Sequence, residues 1–102
     1  MNPHVFTAGF RKVFADFAEA MPAWDVHVGA DNQGNEGAFV RLFGAECSTA
    51  FVAGPESIVT IHTMESTCSA TVSDPDALRN LLDRAERVTK DMADVLADLK
   101  AA

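Results

Sequence analysis

Apolar positions near the start of the chain recur every three or four residues. Phe6, Phe10, Val13, Phe14, Phe17 and Met21 fall on one stripe of residues 4–21, the spacing of a single helical face. Asn2 and Pro3 offer a cap and a first-turn proline and Pro22 ends the run, so a first helix is predicted over these residues. Four phenylalanines on one stripe read first as a core-facing surface.

From Trp24 the period drops to two. Trp24, Val26 and Val28 alternate with Asp25 and His27, the pattern of a half-buried strand. The run DNQGNEG (31–37) is turn chemistry, and AFVRLF (38–43) follows as the return strand of a hairpin. STAFVA (48–53), SIVTIHTM (57–64) and TCSATV (67–72) supply three more strands, with Gly54, Pro55 and Glu56 turning the chain between two of them. Links this short force antiparallel pairing, because a parallel crossover needs a dozen or more residues. Several strands are apolar on both sides, with Phe39 and Phe43 against Val40 and Leu42, and Phe51 against Ala50 and Val52. Two helices on one face of a sheet leave the other face to strand curvature or to a partner.

The period returns to 3.6 after Ser73, Asp74, Pro75 and Asp76, which spell a capped helix start. Leu78, Ala85, Met92 and Leu99 form one row, Leu81, Val88 and Val95 another, and Leu82 and Leu96 widen the stripe. Run to Lys100, this helix spans ~39 Å at 1.5 Å per residue. Strands of six or seven residues reach only ~20–23 Å, so its C-terminal part overhangs the sheet. Met92, Val95, Leu96 and Leu99 therefore become a candidate homodimer interface. The predicted fold is α+β: one domain over residues 1–102, an antiparallel four- or five-stranded meander flanked by an N-terminal and a long C-terminal helix, in the order α-β-β-β-β-β-α.

Composition narrows function by exclusion. The 102 residues are 48% hydrophobic and 23% charged, values of an ordered globular chain. No apolar run approaches the ~20 residues of a membrane span, and a cytoplasmic protein with no membrane partner is expected. A net charge of −7 argues against direct nucleic-acid binding, which requires a basic face. The same charge selects basic or nucleic-acid-binding proteins as partners.

Chemistry-bearing residues are sparse. His4, His27, His62, Cys47 and Cys68 match no zinc spacing. His62 and Cys68 fall opposite each other only if their hairpin turns through Glu65, and ordinary sheet residues with reduced thiols are expected. The hydroxyls of STCSATVS (66–73) have no base placed beside them, and GNEG (34–37) lacks the lysine and spacing of a phosphate loop. No catalytic residue, metal or cofactor is assigned. Asp31, Asn32, Gln33, Asn35 and Glu36 form a candidate partner-contact loop. The sequence thus points to a non-enzymatic protein-binding or regulatory module acting as an acidic homodimer. The rival is a small-molecule site between sheet and first helix, lined by Phe10, Phe14, Trp24 and His62.

Overall fold

The computed structural model describes residues 2–44, 48–63, 69–88 and 95–96. Helix α1 (Ala8–Ala20) leads into strands β1 (Trp24–Ala30), β2 (Glu36–Leu42), β3 (Thr49–Ala53), β4 (Val59–Thr63) and β5 (Ser69–Val72), and helix α2 (Pro75–Val88) follows. All neighbouring strands pair antiparallel in the sheet order β1-β2-β3-β4-β5. The α+β meander with a helix at each end is therefore the fold of the chain.

Helix α1 begins later than its stripe suggested. Thr7 caps it, its hydroxyl accepting the Phe10 N–H at 3.4 Å, and residues 2–7 lie outside the helix. That leading segment is held by the hairpin. His4 N–H donates to Asn35 Oδ1 at 2.9 Å, Phe6 N–H to Glu36 Oε1 at 2.8 Å, and Glu36 N–H to the His4 carbonyl at 2.8 Å. These backbone groups are satisfied from a distant part of the chain, which removes the need for helical partners. At α2, Asp74 receives the N–H groups of Asp76 on its side chain and Leu78 on its carbonyl, the cap expected there.

Cross-strand register assigns the faces, since residues opposite one another point the same way. Ala38, Phe51, Ile61 and Ala70 form one row of the inner face, and Val40, Thr49 and Thr63 another. Both helices pack on this side. Phe10, Val13, Phe14 and Phe17 of α1 and Leu78, Leu81, Leu82 and Ala85 of α2 join the sheet in one core. Phe14 stacks against Phe6 and edge-on to Phe51, with ring centroids 5.2 and 5.3 Å apart, and Phe17 meets Trp24 edge-on at 5.5 Å. Gly9 lets the helix starts close up, because a Cβ there would lie 2.8 Å from Pro75 Cγ.

Val95 and Leu96 are helical and 0% exposed, members of that same core. This corrects their assignment to a dimer interface: side chains already removed from water by their own chain offer nothing to a second copy. Intramolecular burial also avoids the entropy cost of association. Met92 and Leu99 lie outside the described residues, as do the cysteines.

Candidate protein-binding face of the sheet

The two terminal helices occupy one face of the sheet and leave the other open. Register sorts that open face into two rows that cross all five strands. One runs His27, Phe39, Ala50, His62, Ser69, and the other Gly29, Gly37, Val52, Thr60, Thr71. Phe39 is 50% exposed and Val52 41%, near the centre of the sheet, and among the described residues nothing covers them. Apolar side chains of this size standing in water on central strands make this face a candidate contact surface.

Charge on this face is balanced. Asp25 and Arg41 are cross-strand partners, with Arg41 Nη2 3.9 Å from Asp25 Oδ2 and His27 Nε2 3.0 Å from Asp25 Oδ1. Asp25 thus sits between two donors on a solvated surface, an arrangement that contributes little energy but cancels charge locally. No other acid or fixed cation occupies the open-face strand positions among the described residues. Against a chain of net charge −7, the strand positions of this face balance, and Asp31 adds one acid at the end of the hairpin.

Beside Phe39 lies a depression of about 390 Å3, lined by His27, Gly29, Gly37, Phe39 and Val52 among others. Its floor is the pair Gly29 and Gly37, directly opposite each other. A smaller hollow bounded by Asp25, His27, Phe39, Arg41 and Ser48 lies on the other side of the ring. Phe39 therefore stands as a ridge between two recesses.

Phe10, Phe14, Trp24 and His62 do not line one pocket among the described residues. Phe10 and Phe14 are each 1% exposed and close-packed, and Trp24 is buried against Phe17. His62 is exposed on the opposite face, between Ala50 and Ser69, so a whole sheet separates it from the phenylalanines. In the register Ser69 is the residue opposite His62, in line with His62 as an ordinary sheet residue. Among the described residues no group of three or more side chains is placed to hold a metal ion.

The predicted contact loop divides. Asn32 and Gln33 are exposed. Asp31 turns its carboxylate onto the loop itself, accepting the N–H groups of Gln33 and Asn35 at 2.9 and 3.0 Å, and those bonds hold its pKa below the usual carboxylate value. Asn35 and Glu36 are half-buried and also hold the segment before α1. Glu36 begins β2, takes Arg11 Nη2 on both oxygens at 3.0 and 3.1 Å, and also takes the Phe6 N–H. The guanidinium first, and the backbone donor second, push its pKa down.

Apolar groups on both faces are visible in the sequence pattern, whereas the recess is not. Its signal was glycine at two strand positions, Gly29 and Gly37, where alternation calls for a side chain. Fold and face together define a class: a two-layer α+β module with an open, charge-balanced sheet surface. Family models, curated proteins and solved structures yield no match to this chain.

Proposed function

We propose that this protein is a non-enzymatic protein-binding module that works as a homodimer through the open face of its sheet. The observation that carries the reading is the exposed central ridge of Phe39 and Val52 on a face whose strand positions carry one acid and one base, in a chain carrying −7. A face of low net charge lowers the Coulomb penalty of bringing two such chains together. The acid excess then faces outward, where it selects a basic or nucleic-acid-binding protein as the further partner. In support of a non-enzymatic role, the carboxylates among the described residues whose pKa is shifted, Asp31 and Glu36, are engaged by backbone N–H groups and Arg11.

Light scattering on the purified protein tests the reading. Wild type at ~100 μM should run as a dimer, the range in which a modest self-interface is populated. A Phe39→Asp, Val52→Asp variant should run as a folded monomer, because charges without partners at a seam cost several kcal/mol. A monomeric wild type, or a dimer untouched by the double variant, refutes it. The recess beside Phe39 favours one rival, a small apolar ligand held on the open face. A monomeric wild type whose uptake of a hydrophobic dye is abolished by Phe39→Ala would establish that rival instead.

A further inference from the structure

The glycines at the floor of the recess are not required by the fold. Neither has a positive φ, and a Cβ on Gly29 would meet nothing within 4 Å, while one on Gly37 would make only ordinary contact with the Phe51 carbonyl oxygen at 3.4 Å. Glycine weakens a strand interior. Two of them directly opposite each other in β1 and β2 leave the backbone open to close approach from the solvent side.

We propose that two copies pack open face to open face about a two-fold axis crossing the strands at the level of Ala38, seating Phe39 of each copy in the Gly29–Gly37 trough of the other. The inference rests on the homodimer reading and gives it a register. An axis lying between the sheets and perpendicular to the strands exchanges the two rows of the open face, so each residue of one row meets its same-strand neighbour two positions away. Phe39 then faces the partner's Gly37 and His27 faces the partner's Gly29. On β3, Ala50 faces the partner's Val52, and on β4, His62 faces the partner's Thr60. Large meets small on each of these four strands, and the fifth pairs two hydroxyl residues, Ser69 and the partner's Thr71. An isologous interface needs this self-complementarity, and sheets packed face to face interdigitate in the same way.

Area agrees with that occupant. The same axis sets Asp25 over the partner's Asp31 and Arg41 over the partner's Asn35, and Arg41, 3.9 Å from its own Asp25, offsets part of that like-charge approach. Five strands ~4.8 Å apart and ~20 Å long give a footprint of ~480 Å2, which side-chain relief raises toward the ~800 Å2 per partner of a standard interface.

Complementary variants test the seat. Gly29→Ile fills the trough and leaves the Phe39 ridge; Phe39→Ala removes the ridge and leaves the trough. Each alone should weaken self-association by at least about tenfold, the loss expected when a central aromatic anchor is unseated. An equimolar mixture should recover a heterodimer tighter than either homodimer, since one ridge again meets one open trough. Circular dichroism checks that both variants are folded, and on mixed-label wild type an isotope-filtered NOE from the Phe39 ring to the partner's Gly37 α protons reads the seat without substitution. A dimer that Phe39→Ala disrupts while Gly29→Ile does not, or that lacks the NOE, overturns the seat and leaves the homodimer standing. A wild type monomeric at ~100 μM overturns both.

Discussion

Replacing Leu96 with alanine separates a core residue from an interface residue. Leu96 is 0% exposed and packs in the cluster that joins both helices to the sheet. Leu→Ala at such a site removes the transfer energy of the lost carbons and leaves a cavity, at a cost of ~2–5 kcal/mol. A chain of 102 residues has a total stability of roughly 5–15 kcal/mol, so the loss is a large fraction of the whole. In thermal unfolding it should lower Tm by more than about 10 °C, given ~4–8 °C per kcal/mol for a domain of this size. Light scattering below the transition should find the oligomeric state of wild type unchanged. A loss below about 1 kcal/mol accompanied by dissociation would refute the core assignment and return Leu96 to an intermolecular seam. Leu96→Glu should abolish folding, because a buried unpaired carboxylate adds its desolvation cost to the lost packing.

Two further substitutions test particular contacts. Gly9→Ala gains up to ~1 kcal/mol of helix propensity but places a methyl 2.8 Å from Pro75 Cγ, and overpacking of ~1–3 kcal/mol wins; denaturant unfolding should show net destabilisation, and a gain would mean the helix starts separate freely. Glu36 has a folded pKa below its ordinary value of 4.5, so the stability it contributes is fully present above that value and is lost as pH falls through the lower folded one. Glu36→Gln should therefore lower stability at neutral pH and flatten the acid limb of the stability profile, and an unaltered limb would refute the Arg11 and Phe6 contacts.

Element order was legible because period alone distinguishes helix from strand, and the switches at Trp24 and Pro75 are sharp. The start of α1 was not, because the chain holds two candidate caps, Asn2 and Thr7. The choice between them depends on Glu36 and Asn35, some 30 residues away, which no local pattern reports. Val95 and Leu96 went to the wrong surface for a related reason: an apolar helical stripe looks the same whether it meets its own sheet or a second copy. The open face was visible as apolar residues on both sides of β2 and β3. Its recess was not, since Gly29 and Gly37 become one floor only once register sets them opposite each other.

Ionic strength distinguishes the two associations proposed for this surface. Each copy carries −7, so bringing two together costs long-range repulsion that the neutral face reduces but does not remove. The screening length falls from ~30 Å at 0.01 M to ~8 Å at 0.15 M. Added salt should therefore tighten the homodimer, whose seam is apolar, and weaken capture of a basic protein on the outward acid excess. Sedimentation equilibrium of wild type across that range reads the first effect, and titration of the dimer with a lysine-rich protein reads the second. A homodimer that loosens as salt rises would mean that ion pairs hold the copies together. Phe39 would then be incidental to assembly, and Phe39→Ala should leave the dimer intact at low salt.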